Sequence, residues 1–376
     1  MKPFSMSRRD ALTASISLAA AALAGSRASA ASSASQLAES YDCYEVGAQQ
    51  GLASLRRVKR PALLPGPGEV LVAVRAAALN YRDLMVMDGR YGERKPETRV
   101  PLGDGAGDIV AIGDKLSGWS VGDRVTAPHF SSWLDGEFQP AVFGRDLGSS
   151  MDGWLTELIT LPASALVRIP DGIDYTAAAS LGAAAITAWT VLETLGRIKP
   201  GDTVLALGTG GVAIMALQIA KMAGAHVVIT SSSDEKLAVA SKLGADSTIN
   251  YRKTPQWEKA VRAATGGRGV DIVVETVGIG TLPQSLASCA PNARIGLLGG
   301  LAGSDGKPTD LSALFFGNLV LKGITSGSRS MLEDLLRAAD ANNLQPHIDR
   351  VFSFDEAARA YEYLAGSGHV GKIVIA

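Results

Sequence analysis

The chain has 376 residues, of which 47% are hydrophobic and 19% charged, and its formal net charge is -1 at pH 7. This length exceeds the range over which a single hydrophobic core usually grows, so two domains are expected. The charge balance, without any basic run interleaved with aromatic residues, argues against a nucleic-acid partner and favours a small-molecule ligand.

The first thirty residues have the order of an export signal. Arg8 and Arg9 stand in a basic start, a mildly apolar stretch follows, and Ala28 and Ala30 suit a signal peptidase. "SRRDAL" resembles the twin-arginine signal. We predict a signal peptide over 1–30, a linker over 31–40 and a periplasmic protein, or a cytoplasmic one if the signal is inefficient; an amphipathic or buried N-terminal helix is the alternative. The stretch is too short and too weakly apolar for stable membrane insertion.

From residue 41 to about residue 167, short apolar runs alternate with Gly, Pro and Asp turns. "GEVLVAVRAAALN" and "GAGDIVAIGDKL" are examples, and the period-2 alternation predicts an antiparallel β barrel or sandwich. Residues 129–153 have no clear period and predict a long loop or lobe, of a length that is often functional.

A helix or two is predicted to begin near Tyr175, and after "KPGD" the pattern changes. Six strand-like runs, from "TVLAL" to "LVLKGIT", alternate with helix-length segments. This alternation predicts a parallel sheet covered on both faces, a doubly wound α/β (Rossmann) nucleotide-binding domain over 168–327. The tail, 328–376, is expected to return to the first domain and complete it.

Two cysteines, Cys43 and Cys289, and four scattered histidines provide no metal-ligand spacing such as C-x2-C or H-x3-H. A chain of this size can bury a sufficient hydrophobic core without a disulfide. Both cysteines are therefore expected to be packed in the interior as free thiols. Zinc is not expected from this composition.

The segment "TVLALGTGGVAIMALQIA" predicts a strand, a glycine-rich turn and a helix. Gly208 allows the tight turn, Gly210 lets a pyrophosphate approach the backbone, and Ala213 meets the need for a small residue where helix packs on strand. Gly211 and Val212 begin the helix, whose free N–H groups attract phosphate. We therefore predict a dinucleotide-binding loop.

The end of the second strand of this domain selects the dinucleotide. An acidic residue there would bind the ribose 2'-hydroxyl of NAD, but "TSSSDEK" has none at that point. The hydroxyls of Ser231 and Ser232 and the cation of Lys236 favour the 2'-phosphate of NADP(H), with NAD the less favoured cofactor. The alternative, compatible with this role, is that Ser232 and Glu235 form a helix capping box.

The motifs "NYRDLM", "GDGAGDIVAIG", "VGDRV", "GTGGV", "LGADSTINY" and "GKIVIA" resemble the medium-chain dehydrogenase/reductases, in particular the zinc-independent quinone reductase-like branch. The resemblance spans nearly everything after Tyr41. It implies a GroES-like catalytic domain with the active site in the cleft against the Rossmann domain, and an assembly of identical subunits, a dimer or tetramer.

Zinc-dependent members of this family bind the catalytic metal with a cysteine, a histidine and a second cysteine. The matching positions here hold Asn80, Gly103 and Ala183, and the expected structural zinc lobe after "GDRVTAP" contains no cysteine. The resemblance therefore implies a member without zinc.

The resemblance also implies cofactor contacts. NADPH-using quinone reductases contact the 2'-phosphate through a lysine after the second strand and a tyrosine after the third, positions that Lys236 and Tyr251 match. The residues expected near the nicotinamide are Thr187, Gly299, Gly300 and Leu301.

Without a metal, a substrate carbonyl has to be polarised by hydrogen bonds and a proton has to come from a side chain, the cofactor ribose or water. Asn80 and Asp83 lie in the stretch that faces the nicotinamide in the family, and Tyr81 and Tyr91 carry hydroxyls that could donate. Asp83 could equally be structural, and the tyrosines could line an apolar wall. His129 is a further candidate acid, or a packed residue.

Three functions follow from these features. The first is an NADPH-dependent reductase of quinones or conjugated carbonyls. The second is a zinc-free, NADP-dependent alcohol dehydrogenase, and the third is a protein that binds NADPH without catalysis.

Overall fold

The computed structural model describes residues 39–92, 97–299 and 309–376. The predicted signal peptide and nearly all of the predicted linker lie outside the described residues, as do Gly300 and Leu301. Within the described ranges, the strands form one sheet of seven, one of six and a separate two-stranded ribbon.

The first half of the chain is mostly antiparallel β structure. The ribbon pairs β1 (Ser40–Val46) with β2 (Leu55–Pro61). The seven-stranded sheet contains β3 (Glu69–Leu79), β4 (Asp104–Ile112), β5 (Arg124–Thr126), β6 (Leu158–Pro162), β7 (Val167–Arg168), β14 (Ile348–Phe352) and β15 (Lys372–Ile375). The long strand β3 is central, because β4, β6 and β15 all pair with it antiparallel. The C-terminal strand is thus part of the first sheet.

The second sheet is parallel throughout and has the order β10-β9-β8-β11-β12-β13. Its strands are β8 (Thr203–Leu207), β9 (His226–Ser231), β10 (Ser247–Asn250), β11 (Val270–Glu275), β12 (Cys289–Leu297) and β13 (Val320–Gly323). They coincide with the six runs predicted from the sequence. The order reverses between β8 and β11, and ligands of such sheets bind outside the carboxyl ends of the strands at this point.

Helices cover both sheets. Those of the described residues are α1 (Tyr81–Met87), α2 (Tyr175–Leu195), α3 (Gly211–Met222), α4 (Asp234–Lys242), α5 (Trp257–Ala264), α6 (Leu282–Ala287), α7 (Ser312–Phe316), α8 (Arg329–Ala341) and α9 (Ala357–Ala365). Helix α2 starts where the sequence predicts, with the carboxylate of Asp174 accepting from the N–H of Ala177 at 2.7 Å.

Helix α2 is long and apolar enough to cross a membrane by length and composition, but 83% of its most apolar window is buried inside the molecule. It packs in one continuous core that includes Ala76 and Ala78 of β3, Ile214 of α3 and Leu335 of α8. The helix therefore joins the two sheets from within.

Residues 129–153, predicted as a loop or lobe, form an ordered lobe built on aromatic packing. Phe130 and Trp133 are buried with Val142, and the rings of Phe138 and Phe143 close over them. The lobe is fastened to the start of α8, where the N–H of residue 329 donates to the carbonyl of Trp133 at 2.8 Å. Phe130 and Trp133 are thus core residues of the lobe. The thiols of the chain, at positions 43 and 289, are both buried and unbridged.

Candidate active site

The glycine loop forms an open cradle at the carboxyl end of β8. Gly208 has φ +80°, and a Cβ built on Gly208 or Gly210 would meet no atom within 4 Å. Helix α3 begins at Gly211 without a side-chain cap, and the N–H of Ile214 makes the first helical bond, to the carbonyl of Gly210 at 3.0 Å. The preceding N–H groups, including that of Val212, are free to receive an anion such as pyrophosphate.

The strand end beside this loop is held by hydroxyl groups. The N–H of Gly208 donates to Thr230 Oγ1 at 3.3 Å, and Thr209 Oγ1 lies 3.2 Å from Ser231 Oγ. Ser231 is buried, whereas Ser232 is half-buried and makes no side-chain hydrogen bond to any described residue. Ser232 Oγ is therefore available to a ligand.

The capping box expected at Ser232 and Glu235 is wrong by one residue. The N-cap of α4 is Ser233, whose hydroxyl accepts from the N–H of Lys236 at 3.4 Å and also contacts Glu235. The chain bends at Ser232, and Ser233 is the extended residue directly before the helix (φ -135°, ψ 135°). The shift leaves Ser232 out of the cap.

The cationic and aromatic groups expected at the 2'-phosphate lie on this side of the sheet. Lys236 Nζ donates to the carbonyl of Ser367, and burial lowers the pKa of this lysine. Tyr251 is 41% exposed, and its N–H bonds the carbonyl of Ser231 at 3.0 Å, so the two segments are adjacent. The carboxylate of Asp234, the first residue of α4, is paired with Lys253 and accepts from the amide of Asn250.

A buried polar cluster lies where the two sheets meet, and it contains Asn80, Asp104 and Lys372. Asp104 Oδ2 accepts from Asn80 Nδ2 at 2.8 Å and from the N–H of Ala183 at 3.1 Å. Lys372 Nζ donates to Asn80 Oδ1 at 2.7 Å and to the carbonyl of Leu79 at 2.9 Å, and lies 3.4 Å from Asp104. A lysine this deeply buried is tolerable because each of its N–H donors has an acceptor.

Lys372 also connects this cluster to the glycine loop. Its Cδ lies 3.2 Å from the position of a Cβ on Gly211, and the N–H of Gly371 donates to the carbonyl of Thr209 at 3.0 Å. The structure thus brings the candidate catalytic residue Asn80 and the candidate cofactor loop to one place.

Asp83 lies below Asn80 and is fully buried. Its Oδ2 accepts from the N–H of Asn80 at 2.7 Å, while Oδ1 has no hydrogen-bond partner among the described residues. Burial raises the pKa of Asp83 to about 6, although Arg82 and the Asn80 N–H act in the opposite direction. The carboxyl group of Asp83 therefore caps α1, and its raised pKa makes its charge depend on pH near 6.

A second cluster is formed by Arg82, Asp146, His129 and Tyr91. Asp146 Oδ1 accepts from Arg82 Nη2 at 3.0 Å and lies 2.8 Å from His129 Nδ1. The guanidinium of Arg82 lies over the ring of Tyr91 at 4.8 Å from its centroid, and burial raises the pKa of this tyrosine. Burial alone would also raise the pKa of Asp146, but Arg82 and His129 hold it below its usual value.

The remaining candidates are placed differently. Thr187 is buried on α2 and its hydroxyl donates to the carbonyl of Ala183 at 2.6 Å. Gly299 follows β12 in a tight passage, since a Cβ there would lie 1.8 Å from the carbonyl of Thr276. Tyr81 is 44% exposed and interacts with Arg90, outside both clusters.

Lys372, Asp104, Arg82 and Asp146 belong to the site but were not predicted. Two of these residues could have been found from their sequence neighbours. Asp104 directly follows Gly103, a predicted zinc-ligand position, and Arg82 lies within the motif "NYRD" beside the candidates Asn80 and Asp83. Nothing local pairs Arg82 with Asp146, which is 64 residues away.

The positions that would carry zinc ligands hold groups that offer no thiolate or imidazole. The amide of Asn80 and the backbone N–H of Ala183 are both used by Asp104. At Gly103, a Cβ would lie 2.1 Å from Arg82 Nη1 and 2.9 Å from the Cβ of His129. In the part of the chain that the structure describes, no group of three or more His, Cys, Asp or Glu side chains is arranged for a metal ion.

Two family models match this architecture. The alcohol dehydrogenase GroES-like domain matches residues 66–171, and the zinc-binding dehydrogenase domain matches residues 211–341. A GroES-like domain and a parallel nucleotide-binding sheet with a glycine loop define an NAD(P)-dependent oxidoreductase. The chain belongs to the medium-chain dehydrogenase/reductase superfamily.

Relatives within this superfamily cover most of the chain. A zinc-type alcohol dehydrogenase-like protein of Schizosaccharomyces pombe is 42% identical over 82% of this chain and 91% of its own length. Acryloyl-coenzyme A reductase of Metallosphaera sedula is 31% identical, with 88% and 97% covered. Quinone oxidoreductase of Pseudomonas aeruginosa is 30% identical, with 83% and 92% covered.

A solved structure from Sinorhizobium meliloti 1021, assigned as an alcohol dehydrogenase, is also similar. It superposes with a TM-score of 0.83 at 35% identity and covers 90% of this chain and 99% of that one. The shared fold therefore extends over both sheets.

Proposed function

We propose that the protein is an NADPH-dependent, zinc-independent reductase of conjugated carbonyl compounds, such as enones, enoyl thioesters or quinones. The observation that carries this proposal is the cluster in which Asn80, at one of the positions expected to hold a zinc ligand, bonds instead to Asp104 and Lys372. Bound NADPH would supply the hydride.

The choice of substrate class rests on charge. Hydride addition to an isolated ketone leaves the negative charge on one oxygen, which a Lewis acid stabilises best. In a conjugated carbonyl the developing charge is spread over the oxygen and the α-carbon, so hydrogen-bond donors and a nearby cation can stabilise it. Lys372 is a buried cation that donates to Asn80 and is paired with Asp104, and Arg82, paired with Asp146, is the second cation of this region. The names of the acryloyl-coenzyme A and quinone reductases among the relatives support this class.

The cofactor proposal rests on the end of β9. Ser232 carries an unbonded hydroxyl, Tyr251 is exposed beside it, and Lys236 brings a cation to the same side. Two acids lie in this region: Asp234 is paired with Lys253, and Glu235 accepts from the hydroxyl of Ser233. A 2'-phosphate would meet hydroxyl donors and the cation of Lys236.

Binding measurements test the cofactor. We expect isothermal titration to give a lower Kd for NADPH than for NADH, and Lys236→Ala to raise the NADPH Kd roughly tenfold, the loss of one charge-assisted contact. Lys242→Ala, at the far end of α4, should leave both constants unchanged. Tighter binding of NADH by the unaltered protein, or an equal effect of Lys236→Ala on both dinucleotides, would contradict the proposal.

A substrate screen tests the reaction. We expect oxidation of NADPH with enones, enoyl thioesters or quinones and no reaction of NADP with the matching saturated alcohols. The names of the Schizosaccharomyces and Sinorhizobium relatives favour alcohol dehydrogenation as the second candidate. Turnover of alcohols without turnover of enones would establish that alternative, and tight NADPH binding with no turnover of any of them would indicate a non-catalytic protein.

We also propose that residues 1–30 direct export to the periplasm, on the order of basic, apolar and small residues in "MKPFSMSRRDALTASISLAAAALAGSRASA". The full chain, expressed with a C-terminal tag, should be recovered from the periplasm without its leader. The double variant Arg8→Lys and Arg9→Lys should stay in the cytoplasm. Recovery of uncleaved, unaltered protein from the cytoplasm alone would refute export.

A further inference from the structure

His129 and Asp146 form a buried pair on the inner side of the aromatic lobe. The carboxylate Oδ1 of Asp146 lies 2.8 Å from His129 Nδ1, and the imidazole is 4% exposed. The ring of His129 packs on Phe130, with centroids 4.0 Å apart. The imidazole is therefore fixed in orientation by one hydrogen bond and one ring contact.

The other ring nitrogen of this histidine is free. Among the described residues, no group hydrogen-bonds His129 Nε2, although Nδ1 is engaged. When Nδ1–H donates to a carboxylate, Nε2 is the nitrogen that can give and take a proton. A histidine held by a carboxylate in this way is a candidate general acid.

Gly103 places the pair beside the candidate active site. The Cβ of His129 lies 2.9 Å from where a Cβ of Gly103 would stand, and Arg82 Nη1 lies 2.1 Å from the same point. The next residue, Asp104, belongs to the cluster with Asn80 and Lys372. The absence of a side chain at position 103 thus lets a histidine and an arginine pack against the residue that precedes Asp104.

We propose that His129 is the proton donor of the reduction, through Nε2, and that Asp146 is its positioning residue. This inference rests on the proposed function, in which a conjugated carbonyl that has accepted a hydride is left as an enolate. The proton leaves His129 Nε2 and the electron pair of the enolate forms the new C–H bond at the α-carbon. The neutral imidazole then regains a proton from water.

The other candidate donors are less suitable. Asp83 is fully buried within α1: its Oδ2 accepts from the N–H of Asn80, and its Oδ1 lies 4.0 Å from the guanidinium of Arg82. Tyr91 lies with its ring against the Arg82 guanidinium, and burial raises the pKa of the phenol. Tyr81 is exposed and lies outside both clusters.

Replacement of the imidazole tests the inference on the full chain. We expect His129→Gln to lower kcat for an enone roughly 100-fold, the usual contribution of a positioned acid, with the Kd of NADPH unchanged. His226→Gln, whose side chain is 66% exposed at the start of β9, is the matched control and should retain full activity. Asp146→Asn should lower kcat with little change in KM.

The product provides a readout that does not depend on the variants folding. In deuterium oxide, the unaltered enzyme should place solvent deuterium on one face of the α-carbon, because the proton comes from a fixed nitrogen. Incorporation on both faces, or His129→Gln with more than a third of the original kcat, would overturn the donor while leaving the proposed function intact. If the unaltered protein reduces no conjugated carbonyl, the proposed function itself fails, and the inference with it.

Discussion

Asp83 is a buried carboxyl group in a site that already contains two other carboxylates and two cations. Burial raises the pKa of Asp83 from 3.8 in an unfolded chain to about 6. The folded protein therefore binds a proton that the unfolded chain has lost between these two pH values, and the free energy of unfolding falls as the pH rises through this window.

The variant Asp83→Asn isolates this effect. Between about pH 4 and pH 6.5 the unaltered protein should lose roughly 3 kcal/mol of unfolding free energy through this group, and Asp83→Asn, which can still accept from the Asn80 N–H, should not. Urea unfolding at several pH values measures the difference between the two proteins. Asp114→Asn, an exposed acid, should reproduce the unaltered pH dependence; parallel curves for Asp83→Asn and the unaltered protein would show the prediction to be wrong.

Gly103 is the residue whose smallness the site needs most. A Cβ there would lie 2.1 Å from Arg82 Nη1 and 3.2 Å from the carbonyl of Leu147, so the guanidinium would have to leave its bonds to Asp146 and Leu147. We expect Gly103→Ala to lower the free energy of unfolding by about 1–3 kcal/mol. Gly144→Ala, where a Cβ meets nothing within 4 Å, should change it by less than about 0.5 kcal/mol. Equal stability of the two variants in urea unfolding would contradict this view of the site.

At the scale of elements, the aromatic lobe stands where zinc-dependent relatives are expected to carry a structural metal. Trp133 is 7% exposed, its ring lies 5.5 Å from that of Phe138, and its indole N–H donates to the carbonyl of Gly136 at 3.0 Å. Ring packing and hydrogen bonds to backbone carbonyls hold this segment in place.

Truncation of the Trp133 side chain should therefore destabilise the lobe, whereas removal of metal ions by a chelator should not. We expect Trp133→Ala to lower the free energy of unfolding by about 3–5 kcal/mol and Phe143→Ala, at a position 45% exposed, to lower it by less than half as much. The melting temperature of the unaltered protein should be the same with and without EDTA. A lower melting temperature in EDTA that zinc restores would disprove the metal-free assignment of the lobe.

Helix α2 shows what local patterns leave out at this scale. "YTAAASLGAAAITAW" predicts a helix, and a helix forms, but it widens to i to i+5 hydrogen bonding over Leu181–Ala185. There the N–H of Ala183 donates to Asp104 at 3.1 Å. This contact reaches a side chain 79 residues distant, so helix propensity could not predict it.

At the scale of the molecule, an exposed apolar patch adjoins the open edge of the parallel sheet. Phe315 and Phe316 are each 82% exposed, Leu311 is 49% exposed and Val320, the first residue of β13, is 47% exposed. Within the described residues β13 pairs only with β12, so its outer edge offers unpaired backbone groups. A bare edge and an apolar patch together favour pairing with a second copy.

We predict a homodimer formed through this edge. Sedimentation or light scattering should give twice the mass of one chain, and the double variant Phe315→Glu and Phe316→Glu should give the mass of one, because two charges on each side oppose burial. Leu63→Glu, at an exposed site in the other half of the chain, should remain dimeric. A dimer that persists in the double variant would show that the interface lies elsewhere. A monomeric unaltered protein would show that the predicted dimer does not form.

The sequence alone determined the order of elements, the parallel sheet and the glycine loop. These features arise from local periodicity and from single residues in short motifs. Gly208 is an example, because the turn at this position of the motif requires a positive φ that glycine adopts readily. The sequence also predicted that the three positions matching zinc ligands hold Asn80, Gly103 and Ala183. This prediction needs only the residue type at positions that neighbouring motifs identify.

Only the tertiary structure decided which charged groups meet. Lys372 joins Asp104 across 268 residues and Arg82 joins Asp146 across 64, and no spacing rule relates residues brought together by different sheets. Desolvation, which raises the pKa of Asp83, and the free Nε2 of His129 likewise depend on packing in three dimensions. Hydrophobic patterning is local and can be read from the chain, whereas the pairing of buried charges depends on long-range contacts that exist only in the folded protein.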